Sequence, residues 1–264
     1  MALTAATSHS SLPQSRPDEF DVRVCVTAQH REMLDQVLSV FEVRPDYDLN
    51  VMRANQSLSQ VTARMIAALE PVIAAEQPDM VIVQGDTTTT FCGALAAFYQ
   101  RVSVGHVEAG LRTGDLWQPF PEELNRVLTT RLTKLHCAPT AESARNLRAD
   151  GVADAGIFVT GNSGIDAVLH VRDRLSSGAL AGFDAVPLDP GRKQIVVTAH
   201  RRENFGDGLA RLYQAIARLA ERVTCRWFIR FTPIPTCANR PNNIWAASRT
   251  SISLRRRITC PSWT

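Results

Sequence analysis

Apolar residues recur along this chain at two spacings, one typical of helices and one typical of buried strands. In residues 57–75 they return every three or four positions, which predicts a helix with one buried face. Residues 80–83 are a continuous apolar run, Met-Val-Ile-Val, which is typical of a strand inside a parallel sheet. The same patterns predict further strands at 21–27, 102–107, 137–138 and 157–160, and further helices at 32–41, 87–100, 121 onward and 140–149.

The alternation of strand and helix predicts an α/β fold with a parallel, doubly wound sheet. Residues 173–192 are rich in Ser, Gly, Asp and Pro, and we interpret them as a linker that follows a first domain at 18–172. Residues 193–230 then contain a second series, in which a strand, a helix and a strand are predicted at 194–199, 208–222 and 226–230. Residues 1–17 have no periodicity and are predicted to be disordered.

Composition adds a constraint at one end of the chain. The formal net charge is +3, yet seven of the 29 basic residues, all Arg, lie within 226–264, where no acidic residue occurs. The remaining 22 basic residues stand against 26 acidic ones, so residues 1–225 are mildly acidic. The six Cys are dispersed without a C-x-x-C pair, which indicates reduced thiols in a cytoplasmic protein and no metal site. No apolar run approaches the roughly 18 residues of a membrane span.

Two carboxylates follow predicted strands directly, where an α/β sheet builds its active site. Asp86 follows strand 80–83 and precedes four Thr; a helix cap is the structural alternative, but consecutive Thr are poor helix formers and favour a functional role. Glu108 follows the next strand and lies two residues beyond His106, so these two side chains share a face. For Glu108 the structural alternative is an ion pair with Arg112.

A third carboxylate and a basic loop complete the candidates. Glu122 follows Pro121 at a helix start, where acidic residues commonly complement the helix dipole, and Arg126 stands at ion-pair spacing four residues later. His200 begins a His-Arg-Arg loop after the strand at 194–199. Such basic groups suit a diphosphate, and a solvated surface loop is the alternative. The chain contains neither a Walker loop nor a G-x-G-x-x-G motif, which removes support for P-loop NTPases and dinucleotide-binding enzymes.

Six blocks of sequence carry a family resemblance. They are VTAQHREMLDQV (26–37), QGDTTTT (84–90), GHVEAGLRTG (105–114), PFPEELNR (119–126), TGN (160–162) and VTAHRRE (197–203). Over roughly residues 21–229 the chain resembles the non-hydrolysing UDP-N-acetylglucosamine 2-epimerase family. The resemblance implies two Rossmann-like domains, arranged as in the two-domain (GT-B) glycosyltransferases, with a UDP-sugar in the cleft and with the second domain incomplete here.

The resemblance also implies a reaction and residue roles. Members interconvert UDP-GlcNAc and UDP-ManNAc without an external cofactor: UDP leaves C1 as the proton leaves C2, then UDP re-adds and C2 is protonated from the other face. By resemblance Asp86, Glu108 and Glu122 are the acid/base carboxylates and His200 assists the departing UDP. Substrate contacts are implied for Arg112, Arg126, Asn162 and Arg202, and a second, activating UDP-GlcNAc for Gln29, His30 and Arg64, with Arg202 nearby. A homodimer is also implied, with no nucleic-acid or membrane partner.

Two family elements have no counterpart in this sequence: the opening strand with its Gly-Thr-Arg-Pro-Glu loop, and the C-terminal half with its Asp-Ser-Gly-Gly segment. When the codons of residues 230–241 are read one base earlier, they can spell Val-His-Pro-Asn-Pro-Asn-Val-Arg-Glu-Pro-Ala, a continuation similar to the family's. We therefore hypothesise a frameshift near codon 230, with residues 231–264 out of frame. The Arg-rich stretch then indicates no nucleic-acid partner.

Three functional hypotheses follow. The first is a sugar-nucleotide epimerase that is truncated and therefore weakly active or inactive. The second is a non-catalytic remnant that binds a nucleotide sugar or a protein partner. The third is a GT-B-type glycosyltransferase, which the GDTTTT and HVEAGLR blocks disfavour because they are specific to the epimerase family.

Overall fold

The computed structural model of the chain describes residues 20–28, 31–53, 56–181, 193–199, 207–222 and 225–231. The chain divides into two units, Met1–Ala181 and Gly182–Thr264. The strands of the first unit are β1 (Cys25–Val26), β2 (Tyr47–Asp48), β3 (Met80–Gln84), β4 (Ser103–Val107), β5 (Leu135–Ala138) and β6 (Ile157–Val159). Its helices are α1 (Arg31–Val40), α2 (Leu58–Glu76), α3 (Thr88–Tyr99), α4 (Glu122–Leu132), α5 (Ala141–Ala149) and α6 (Ser163–Ser176).

All the strand pairs of the described residues are parallel. The central sheet of the first unit has the order β3-β4-β5-β6, and β1 pairs with β2 in a separate two-stranded sheet. In the second unit β7 (Lys193–Ala199) pairs with β8 (Cys225–Phe231), and α7 (Asp207–Arg222) connects them. Strand and helix alternate through the described residues of both units, so the predicted α/β fold class is confirmed.

Helix α2 shows how the sequence pattern becomes a core. Its start is fixed by a capping box in which the Ser57 side chain accepts from Gln60 N–H and the Gln60 side chain accepts from Ser57 N–H. It ends at Gln77, whose N–H donates to the Ile73 carbonyl (2.9 Å) in a left-handed conformation. One apolar face of the helix packs on β3 and α3, and its buried members are Val61, Met65, Leu69 and Ile73.

The structure differs from the predicted elements in three places. The strand predicted at 21–27 is regular only at Cys25–Val26, where it pairs with β2, a short strand that the sequence pattern did not predict. Helix α6 was also not predicted, although Asn162 caps it by accepting from Gly164 N–H (2.8 Å). The helix runs to Ser176, so the predicted linker 173–192 begins inside it.

Several predicted features lie outside the described residues. These are the disordered start at 1–17, most of the linker and nearly all of the out-of-frame tail at 231–264. Within the ranges that are described, no helix is both long and apolar enough to cross a membrane.

Candidate active site

Asp86 and Glu108 are brought together at the carboxyl ends of β3 and β4. The register pairs Gln84 with Val107, so both carboxylates follow the same edge of the sheet. The chain turns sharply there, with φ of 74° at Gly85 and 65° at Glu108. A Cβ atom on Gly85 would stand 3.6 Å from Glu108 Oε2, so the Glu108 carboxylate lies against the segment that leads into Asp86.

Arg126 joins this pair from helix α4. Its Nη2 lies 2.9 Å from Asp86 Oδ2, and its side chain is only 10% exposed. Its Nε–H donates to the Glu122 carbonyl (3.4 Å), and the neighbouring Asn125 Nδ2 donates to the Asp86 carbonyl (2.9 Å). The first turn of α4 is therefore fastened to the end of β3, which places an Arg beside a carboxylate pair.

The surroundings of these carboxylates favour their neutral forms. Burial raises the pKa of Asp86 above its ordinary value; the Arg126 guanidinium opposes the increase, whereas Glu122 adds to it. Burial also raises the pKa of Glu108, and the charge of Asp86 adds to the increase. Two neighbouring carboxyl groups with raised pKa values, one of them paired with Arg126, are suited to taking up and releasing protons.

The structural alternatives for the two carboxylates are not what the fold uses. Helix α3 is capped by Thr87, whose hydroxyl accepts from Thr90 N–H (3.3 Å), and not by Asp86. The Arg112 guanidinium binds Asp150, with Nη2 and Nε each 2.8 Å from Oδ2, and not Glu108. Asp86 is paired with Arg126 instead, and neither structural alternative accounts for the position of the two carboxylates.

The remaining predicted residues have structural partners where they are described. Arg112 also donates to the Thr130 hydroxyl (2.8 Å), which ties the loop after Glu108 to α4. Asn162 caps α6, and Arg64 Nη1 donates to the Val51 carbonyl (3.0 Å). The ligand-binding roles of these residues stay predictions. Four other predicted residues lie outside the described residues, namely Gln29, His30, His200 and Arg202.

Glu123 belongs to the cluster, although the sequence alone indicates only that it complements the helix dipole beside Glu122. Its side chain is 1% exposed, and Oε1 accepts from Thr113 N–H (3.0 Å) and Gly114 N–H (3.1 Å). Its Oε2 lies 3.3 Å from Arg126 Nε. The Glu-Glu pair after Pro121 was a sequence signal for it, but only burial distinguishes the two Glu.

His106 binds the backbone of the turn at Gly85 that leads into Asp86. It is fully buried, and its Nε2 lies 2.7 Å from the Gly85 carbonyl, so Nε2 carries the proton and donates. Its Nδ1 has no hydrogen-bond partner among the described residues. Burial lowers the pKa of His106 from 6.5 to about 4, so the ring is neutral at neutral pH.

We expect His106 to remain neutral, in the Nε2–H tautomer, down to about pH 5. An unfolded His would gain a proton below its ordinary pKa of 6.5, whereas the folded one does so only near 4, so stability should fall as the pH drops through that window. Two-bond ¹H–¹⁵N correlation spectra of the imidazole across pH 4–8 would show both the tautomer and the midpoint. A midpoint near 6.5 would contradict the buried, carbonyl-bound arrangement.

Comparison with known proteins decides the family. The family model described as UDP-N-acetylglucosamine 2-epimerase matches residues 14–253. This chain belongs to that family. The epimerase of Escherichia coli K12 is 54% identical over 205 residues, which are 76% of this chain and 54% of the relative. The epimerase of Neisseria meningitidis serogroup A is 48% identical over 203 residues, 76% of this chain and 55% of the relative.

Solved structures of epimerases agree. A crystal structure of the Neisseria meningitidis UDP-GlcNAc 2-epimerase bound to UDP-GlcNAc matches 92% of this chain and 67% of its own, at 40% identity and a TM-score of 0.82. A co-structure of Staphylococcus aureus MnaA with UDP matches 94% of this chain and 65% of its own, at 40% identity and a TM-score of 0.78. The resemblance read from the six blocks is confirmed. The chain spans about half the length of the curated epimerases that it matches.

Proposed function

We propose that this chain acts as a weakly active UDP-GlcNAc 2-epimerase that interconverts UDP-GlcNAc and UDP-ManNAc. The single observation that carries the proposal is the half-buried pair Asp86 and Glu108 at the carboxyl ends of adjacent strands, with Arg126 bound to Asp86. Family membership supports the choice of substrate, and the Neisseria relative was solved with UDP-GlcNAc bound. The cytoplasmic location and the homodimer remain predictions from the sequence.

The chemistry needs groups of this kind. The proton on C2 of the sugar becomes acidic only as the C1–O bond breaks, because the departing UDP draws electron density from C1. A carboxylate takes that proton, the C2–H electron pair forms the C1=C2 double bond, and the C1–O pair leaves with UDP. In the reverse sense UDP adds to C1 and a carboxyl group on the other side returns a proton to C2, so protons and charge balance.

The described residues fit the proton-transfer part of this scheme. Asp86, Glu108 and Glu122 supply carboxyl groups, and the half-burial of Asp86 and Glu108 keeps their pKa closer to neutrality than in water. We propose that the positive charge of Arg126, which is paired with Asp86, keeps part of the Asp86 population ionised. By resemblance His200, outside the described residues, would assist the departing UDP.

Turnover by the purified full chain tests this function. The chain is incubated with UDP-GlcNAc or with UDP-ManNAc, and the anomeric proton signals of both sugars are followed by NMR. We expect both starting points to converge slowly on one mixture, in keeping with the weak activity predicted from the sequence. A mixture that never changes from either side would contradict the proposal.

The same sample distinguishes the second hypothesis, a non-catalytic remnant that binds a nucleotide sugar, from an active epimerase. Saturation-transfer NMR reports contact between the sugar nucleotide and the chain without any reaction. Contact without interconversion would favour the non-catalytic remnant, because the retained carboxylate cluster would then bind substrate without completing the cycle. Transfer of the sugar to an added acceptor would instead favour the glycosyltransferase hypothesis.

A further inference from the structure

Glu123 carries a buried carboxylate, and the energetic cost of that burial must be offset by its partners. Its side chain is 1% exposed, and an isolated buried charge costs several kcal/mol unless it is paired. Two backbone N–H groups, of Thr113 and Gly114, bind Oε1 at 3.0 and 3.1 Å. Oε2 has no hydrogen bond among the described residues, and its nearest cation is Arg126 Nε at 3.3 Å. The two oxygens therefore face two different parts of the site.

Arg126 is held between carboxylates on opposite ends of its guanidinium. The Nε end faces Glu123 Oε2 and the Glu122 carbonyl, and the Nη2 end meets Asp86 Oδ2 at 2.9 Å. Because its side chain is 10% exposed, water competes little for these donors. The direction in which Arg126 points is then fixed from the Nε end, and Glu123 is the charged group at that end.

The other oxygen of Glu123 holds the loop that follows Glu108. Thr113 and Gly114 open the segment that leads to Trp117 and Phe120, whose rings stack at 5.6 Å and are 74% and 51% exposed. One carboxylate thus ties the base of an aromatic loop to the Arg that binds Asp86. The Glu123 carboxylate therefore contacts both the loop backbone and the Arg126 side chain.

We propose that Glu123 is a positioning residue, whose carboxylate holds Arg126 against Asp86 and fixes the Thr113–Gly114 loop to the same point. This role does not depend on contact with substrate. Its consequence for proton transfer rests on the proposed function, but its effect on Asp86 can be read without any substrate.

The test exchanges Glu123 for Gln and follows the ionisation of Asp86. Gln is nearly the same size and keeps a carbonyl oxygen for the two loop N–H groups, but it loses the charge that faces Arg126 Nε. The charged groups around Asp86 are Arg126, Glu122 and Glu123 from α4 and Glu108 from the end of β4. The Asp86 carboxyl carbon is observed by ¹³C NMR in labelled full chain, and Asp86→Asn assigns the signal.

The two interpretations of Glu123 predict opposite signs. If Glu123 positions Arg126, its loss lets the guanidinium leave Asp86, and the midpoint of Asp86 moves to higher pH in Glu123→Gln. If Glu123 only adds a negative charge nearby, its removal favours ionised Asp86 and the midpoint moves to lower pH. A fall or an unchanged midpoint would overturn the proposal.

Two controls make the result specific. Glu142→Gln removes a carboxylate from the exposed face of α5, where it pairs with Arg145, and should leave the Asp86 midpoint in place.

Amide hydrogen exchange at Thr113 and Gly114 tests whether Glu123 anchors the loop. Protection of these amides should persist in Glu123→Gln and fall about tenfold or more in Glu123→Ala, since about 1.4 kcal/mol corresponds to a factor of ten. Equal protection in Glu123→Ala would also overturn the proposed anchoring. An inactive chain gives the same answers, so failure of the proposed function is distinguishable.

Discussion

Glu108→Gln is expected to lower the rate of UDP-GlcNAc epimerisation by about 10²–10⁴-fold, the usual contribution of a positioned acid or base. The amide keeps the size of the side chain against Gly85 but cannot exchange a proton with C2. The wild-type and variant rates are compared by the NMR assay for both sugars. Glu142→Gln, which makes the same chemical change on the exposed face of α5, should retain full rate.

The pH dependence of the epimerisation rate is a second test of Glu108 as the base. Burial and the neighbouring Asp86 raise the pKa of Glu108, so the ionised form is lost at a higher pH than for a carboxylate in water. The rate should therefore fall, on the acid side, above the ordinary carboxyl range. A rate that holds constant down to pH 4.5, the ordinary Glu value, would argue against Glu108 as the base.

Gly110→Ala is expected to destabilise the first unit by about 3 kcal/mol or more, the sum of overpacking and a strained left-handed backbone. Gly110 has φ of 88°, and an added Cβ would stand 2.3 Å from the Ser143 carbonyl oxygen and 2.9 Å from Leu147 Cγ. The Ser143 backbone and the buried Leu147 side chain cannot move away from this Cβ without a large energetic cost. Urea denaturation, followed by circular dichroism, measures the change.

Gly114→Ala is the matched control for this substitution. Gly114 also has positive φ, 80°, but an added Cβ would meet nothing within 4 Å. Its cost should be limited to backbone strain, about 1 kcal/mol. If both variants lose the same stability, close packing of the Glu108–Gly110 turn on α5 is not the reason for Gly at position 110.

The position of the carboxylate pair followed from the sequence because sheet geometry is regular. Asp86 comes two residues after β3 and Glu108 directly after β4, and the carboxyl ends of adjacent parallel strands lie side by side. No knowledge of distant contacts was needed. Spacing also suggested an ion pair between Arg126 and Glu122, whereas Arg126 pairs with Asp86 and Glu123 and meets Glu122 at its backbone carbonyl.

The partners of the charged groups could not be read in this way. Arg112 binds Asp150, which lies 38 residues away and follows another helix, so local spacing suggested Glu108 instead. Glu122 and Glu123 are adjacent in the sequence, and only the orientation of α4 on the sheet decides that Glu123 is the buried one. Such choices depend on tertiary packing, which a single sequence does not contain.

The hypothesis of a frameshift near codon 230 remains a prediction. The family model matches as far as residue 253, which reaches into the segment predicted to be out of frame. The nucleotide sequence across codon 230, read in all frames, checks the hypothesis directly. A shifted frame that encodes an Asp-Ser-Gly-Gly segment would support it, and the absence of any such frame would contradict it.

Exchange of the C2 proton with solvent shows whether Asp86 and Glu108 form an acid/base site. The full chain is incubated with UDP-GlcNAc in D₂O, and the C2 proton signal is followed by ¹H NMR beside a Glu108→Gln sample. We expect the wild-type chain to replace this proton with deuterium and the variant to do so at least about a hundredfold more slowly. A C2 proton retained by the wild-type chain, or lost equally fast in the variant, would contradict the assignment of the Asp86–Glu108 pair as an acid/base site.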